Sequence, residues 1–220
     1  FCLPTELYYQ IVSLSSNPLK DFSSRLVLQW HAFELLILAC KRYSLFLSLH
    51  YPDLHKIKRH LVFTNKTDAH AFWNSFFPKN ITNGLGKQET ALAYILRHTQ
   101  LLPRHFLTLL NKIADINIKL GNEPIKFTED AVVKGIRDSE DDICQEIIAG
   151  FSHIYPNLSD ILERCIKELP LTFNQCKLQK IFNRFGKAAS GLINYYDFER
   201  IFLECGLIGK YLNKTTERYV

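Results

Sequence analysis

Apolar residues recur at helical spacing along nearly the whole chain. Over residues 25–49 they fall at Leu26, Trp30, Phe33, Ile37 and Cys40, the rhythm of one buried helix face, and a long amphipathic helix is predicted there. Pro52 breaks it. Residues 50–60 (HYPDLHKIKRH) then gather Lys56, Lys58, Arg59 and three histidines, which reads as a basic linker or an exposed helix start. The aromatic stretch 69–77 predicts a short helix closed by Pro78, and the Asn and Gly density of 79–87 (KNITNGLGK) predicts a loop.

The most regular pattern follows. Residues 88–99 read as helix, and 104–120 carry Phe106, Leu109, Leu110, Ile113 and Ile116 down one face, with Pro103 at a tolerated first-turn position and Gly121 as the stop. Thr128 is an expected N-cap, with Glu129 and Asp130 where the helix dipole favours acids, and Ser139 repeats the device ahead of Glu140, Asp141 and Asp142. Helices are thus expected over 129–137 and 140–155, with a shorter one over 159–168. Pro170 marks a boundary. Beyond it, helices over 174–185 and 195–205 flank a turn at 186–191, and the polar middle and apolar ends of 206–220 suggest a β-hairpin, the order of a winged helix. The fold class expected is mainly α: a helical bundle followed by a small winged-helix-like module with one β-hairpin.

Composition narrows the class. With 47% hydrophobic and 22% charged residues the chain is a globular polypeptide rather than a disordered one. The longest uninterrupted apolar run, 35–40, is far short of the roughly 20 residues of a membrane span, so no membrane partner is expected. The six cysteines form no C-x-x-C pair and read as scattered thiols of a cytoplasmic protein rather than a disulfide framework or zinc site. The chain opens on Phe1 and contains no Met, which suggests a piece of a longer protein.

Several sites of chemistry are excluded by their own spacing. Gly84-Leu85-Gly86-Lys87 lacks the Ser or Thr that would follow a P-loop lysine and the glycine that would precede it, since those positions hold Gln88 and Ile81. Residues 177–202 have the hydrophobic frame of an EF-hand, yet the ligand positions fall on Gly186, Ala188, Ser190 and Asp197, two of which offer no side-chain oxygen. No metal site and no catalytic residue is predicted. What remains is the turn RHTQLLPR (97–104). Its Pro103 and Arg104 begin a helix whose N-terminal dipole favours anions, which suits Arg104 to a phosphate, a carboxylate or a neighbouring acid.

That turn lies in a run, 93–136 (AYILRHTQLLPRHFLTLLNKIADINIKLGNEPIKFTEDAVVKGI), that resembles the helical lid of AAA+ and STAND-type P-loop ATPases. In such lids a Pro-Arg pair opens a helix that ends near an Ala- or Asn-rich turn, and a helix of pattern T-x-x-D/A-V-x-x-A/G follows. The likeness extends to a group of bacterial ATPases associated with signalling and defence. These similarly carry a Trp-containing helix ending in Arg, as at 30–42, and a W-x-x-F-F-P element, as at 73–78; the likeness covers residues 3–155. It implies ATP as the cofactor, bound only together with an upstream core, with Arg104 as the sensor of the γ-phosphate and Pro103 near the adenine. The turn departs from the lids at Leu101, where they often have Gly. The implied organisation is a helical segment from the end of an ATPase core over 1–60, a lid-like domain over 61–169 and a winged-helix-like domain over 170–220.

The net charge of +5 is weighted towards the C-terminus: residues 177–218 hold eight Lys or Arg against four acids, a local +4. Lys210, Lys214 and Arg218 on a wing suit phosphate contacts. The helix that would enter a groove begins Tyr195-Tyr196-Asp197-Phe198-Glu199, and its acids would face phosphates, so a protein partner competes with DNA or RNA. Two functional readings stand beside the regulatory lid: a DNA/RNA-binding or protein-interaction module with no nucleotide role, and a homo-oligomerising scaffold.

Overall fold

The computed structural model describes Tyr8 and residues 11–12, 14–24, 26, 28–58, 61–83, 86–170, 172–186, 194–213 and 216–219; at 57–58, 211–213 and 216–219 only the backbone is described. Chain order is mainly helical: α1 (Pro18–Asp21), α2 (Ala32–His50), α3 (Pro52–Lys58), α4 (Lys66–Trp73), β1 (Asn80–Thr82), β2 (Gln88–Thr90), α5 (Ala91–Arg97), α6 (Pro103–Lys119), α7 (Glu129–Arg137), α8 (Glu140–Phe151) and α9 (Leu158–Cys165). A 3-10 turn at Ile166–Glu168 follows, then α10 (Gln175–Ile181), a π turn at Phe182–Gly186, α11 (Tyr195–Glu204), β3 (Lys210–Asn213) and β4 (Thr216–Tyr219). No described helix is long and apolar enough to cross a membrane. The chain divides into two compact units, Val27–Ile143 and Phe1–Leu26 with Cys144–Val220.

In the first unit α2 starts where the backbone N–H of His31 donates to Glu34 Oε2 at 2.9 Å. Its buried stripe is Leu35, Leu36, Ala39, Cys40 and Leu47, whereas Leu26 is 86% and Trp30 41% exposed, so the face expected from the 25–40 pattern is not the buried one. A helix this apolar on all sides does not encode its own inward face; packing against α4 and α6 chooses it. Aromatic rings fill the space beside it. Trp73 stacks on Phe77 with centroids 3.9 Å apart, Phe77 stacks on Phe127 at 4.3 Å, and Tyr43 meets Phe76 edge-on at 4.7 Å.

Residues 79–87 are not a simple loop. β1 and β2 form an antiparallel hairpin in the register Asn80↔Thr90, Ile81↔Glu89 and Thr82↔Gln88, and the residues 88–90 expected to open a helix belong to it. Ile81 inserts into the core, Asn83 Oδ1 accepts from Lys87 N at 3.0 Å, and Gly86 supplies a positive φ of 72° at the bend. Gly84 and Leu85 lie outside the described residues.

α6 and α7 pack most closely. At Gly135 an added Cβ would lie 2.8 Å from Ile113 Cα, so the two backbones approach at a point only glycine permits. α6 ends in a Schellman motif: Gly121, at φ 76°, donates to Ile118 O at 2.9 Å, and Asn122 N to Asn117 O at 3.1 Å. Thr128 caps α7 by accepting from Ala131 N at 3.2 Å. Ser139 does not repeat that device. Its hydroxyl donates back to Gly135 O at 2.8 Å, because it is buried in the tight α7–α8 turn.

The second unit is built on phenylalanine. Leu158, Ile161, Leu162 and Cys165 of α9 share one core with Phe173, Leu178, Phe182, Phe198 and Phe202. Pro170, expected at a boundary, is exposed and lies between segments that contribute to one core. Asn174 and Asn194 cap α10 and α11 by accepting from Lys177 N and Asp197 N at 3.0 and 2.8 Å. The C-terminal hairpin is present, with Lys210 opposite Tyr219 and Asn213 opposite Thr216. Gly186 is pressed against Phe198, where a Cβ would lie 2.7 Å from the ring, so the EF-hand frame is a packing frame. Ala188 and Ser190, two of its ligand positions, lie outside the described residues, and among those described no group of His, Cys, Asp or Glu is arranged to hold a metal.

Candidate functional site

Thr99 is the pivot of the turn between α5 and α6. It is fully buried; its hydroxyl donates to Leu96 O at 2.7 Å and accepts from Leu101 N at 3.1 Å, and its carbonyl accepts from Leu102 N at 2.9 Å. The buried His105 places Nδ1 3.2 Å from the same carbonyl. Held this way, the chain passes through φ 50° at Gln100 and φ 55° at Leu101, two consecutive non-glycine residues in the left-handed region. Each such residue costs about 1–3 kcal/mol, and the Thr99 and His105 contacts over-determine the strained path.

The turn delivers Pro103 to the first position of α6, with Leu102 as an N-cap that contributes no side-chain cap. Arg104 is exposed on the first turn of the helix while its neighbours His105 and Phe106 are buried. Behind the turn, Arg97 pairs with Glu89 at 3.0 Å and lies over the Tyr94 ring at 5.0 Å. His98 stands 4.0 Å from Glu140. Burial, and then the positive charge of Arg97, push its imidazole below the usual histidine range. Thr99 and His105 carry the construction; in the sequence Thr99 only closes a helical pattern, and His105 reads as a structural or solvent-facing histidine beside the turn. The spacing T-x-x-x-P-x-H was the available signal.

The C-terminal cations are differently placed. Lys210 Nζ lies 2.8 Å from Glu199, a carboxylate whose side chain is 8% exposed, while the lysine side chain itself is 40% exposed. Arg200 lies 3.2 Å from Asp197 and 3.8 Å from Glu204, and Glu204 accepts from the Tyr155 hydroxyl. Lys214 lies outside the described residues, as does the side chain of Arg218. The structure sets Pro103 and Arg104 side by side at the start of α6, and of the three hairpin cations only the side chain of Lys210 is described.

Burial also governs the thiols: that of Cys40 is pushed up to about 12 and that of Cys165 up to about 11, which keeps both protonated and unreactive at neutral pH. Comparison of the chain with protein-family models, with curated proteins and with solved structures gave no match.

Proposed function

We propose that this chain is the regulatory, lid-bearing region of a cytoplasmic P-loop ATPase, in which the α5–α6 turn reads bound ATP through Arg104 and relays the state of that site to the C-terminal module. The observation that carries the reading is the strained turn itself. Two left-handed non-glycine residues, held by the buried Thr99 and His105, set an exposed arginine on the first turn of a helix without a side-chain cap, and stored strain of this kind is characteristic of ligand clamps and switches. The helix dipole favours an anion at that point, and a guanidinium matches phosphate oxygens bidentately. Hydrolysis belongs to the upstream core, which contributes the phosphate loop and the metal.

For the C-terminal module, the order α9, an isolated β-bridge at Phe173, α10, α11 and the β3–β4 hairpin supports a winged-helix plan. The pairing of Lys210 with Glu199 and the acids Asp197 and Glu204 on α11 favour a protein partner, or a second copy of the chain, over nucleic acid. The experiment is Arg104→Ala in the protein that contains both core and lid. A loss of ATP turnover or ATP-dependent assembly of about 10-fold or more is expected, the scale of one lost charge-stabilising donor. Unchanged turnover and assembly would overturn the reading. Retention of the chain on DNA that falls steeply with salt would replace the protein partner by nucleic acid.

A further inference from the structure

α6 is apolar on two faces. One, Phe106, Leu109, Ile113 and Ile116, is buried in the core. The other, Leu107, Leu110, Ala114 and Ile118, borders an open groove of about 370 Å³ whose far wall is α2 and whose end is formed by Pro124 and Phe127. That volume falls in the range of small-molecule sites. From Leu107 to Ile118 the wall runs about 16 Å at the helical rise.

The floor is internally satisfied. Cys40 Sγ donates to Ala69 O at 3.5 Å and Tyr43 OH to Pro124 O at 3.1 Å, so neither asks anything of an occupant. Among the described residues no acid lines the groove, its single charge is Arg42, and Arg42 has no ion pair. Asn111, an exposed residue of α6, also lines the groove. An apolar trough with one unpaired guanidinium and one amide at its rim is complementary to a molecule with a single negative head and an apolar body.

We propose that this groove binds an amphipathic monoanion, an acyl or aryl carboxylate, with its tail between α2 and α6 and its carboxylate on Arg42 and Asn111. The site is separate from the α5–α6 turn and needs neither ATP nor an upstream core.

Trp73 lies in the groove wall and reports occupancy; Trp30→Phe removes the other tryptophan. The 220-residue chain carrying that change is titrated with dodecanoate, 1-dodecanol and dodecyltrimethylammonium below their aggregation limits. Saturable binding of dodecanoate is expected, about 10-fold tighter than the alcohol, as one charge-assisted contact supplies. Arg42→Gln should erase that preference while leaving alcohol binding in place. Ala114→Phe should fill the groove and abolish both. Should Ala114→Phe fail to fold by circular dichroism, Ile118→Glu, at an exposed position, should repel dodecanoate alone. Equal affinity for all three amphiphiles, or no saturable response, overturns the proposal. So does a dimer that Ile118→Glu dissociates with no dodecanoate bound, which would assign the groove to a second copy.

Discussion

The two units solve the problem of a core in opposite ways. Among the described residues Val27–Ile143 buries four polar side chains: Thr99, His105 and Asn117 bond to backbone of a turn or loop, and Ser139 to the last turn of α7. The C-terminal unit packs Phe173, Phe182, Phe198 and Phe202 around apolar neighbours, and its one buried polar side chain among the described residues is Glu199, paired with Lys210. Apolar contact is non-directional and tolerates repacking, whereas a buried amide or hydroxyl accepts only one backbone path. The first unit is therefore built to hold particular loops in particular shapes, and the candidate nucleotide turn is one of them.

The largest expected break in this contrast is Asn117→Leu. Asn117 Nδ2 donates to Glu123 O at 2.9 Å and Lys126 O at 3.1 Å, and Oδ1 accepts from Thr128 N at 3.2 Å. Leucine would orphan three backbone groups and should cost about 3–5 kcal/mol in urea unfolding. Phe198→Leu in the other unit should cost less than about 2 kcal/mol, since it keeps the core apolar. Equal losses would erase the comparison. Next in size is Gly135→Ala, where the added methyl meets the Ile113 backbone as well as its Cγ1. A destabilisation of about 1–3 kcal/mol is expected, read from the same unfolding curves.

Leu101→Gly should move the other way. Relief of the left-handed strain at φ 55° outweighs the entropy of glycine, for a gain of about 0.5–1 kcal/mol, whereas the same change at the helical Leu107 should destabilise. The smallest effect concerns pH. Because burial lowers the His98 pKa, the unfolded chain binds the proton more readily, and stability should decline as pH falls below about 6.5, the unperturbed value. His98→Phe should flatten that decline, measured as urea midpoints at pH 7.5 and 5.5.

Which parts of this were legible in the sequence follows the same division between directional and non-directional signals. Thr128 with its two acids, Pro103 at a helix start and Gly121 at a helix end each announce a local hydrogen-bond need, and α6 and α7 begin and end where those residues say. The β1–β2 hairpin was not legible, because three-residue strands with one buried residue, Ile81, are too short to display alternation. The inward face of α2 depended on partners distant in sequence. The candidate turn was legible at Pro103 and Arg104 but not at its foundation: left-handed Gln100 and Leu101 contradict their own preferences, and only tertiary anchoring by Thr99 and His105 makes the path available.

Asn117 has a dynamic consequence as well as a static one. Its side chain ties the carbonyls of the 123–126 loop and the N-cap residue of α7 to the last turn of α6. The end of one helix and the start of the next therefore cannot fray independently. Backbone amides near Asn122, Thr128 and Ala131 should exchange with deuterium in a single opening event of common free energy, a cooperative hinge plate rather than two loose termini.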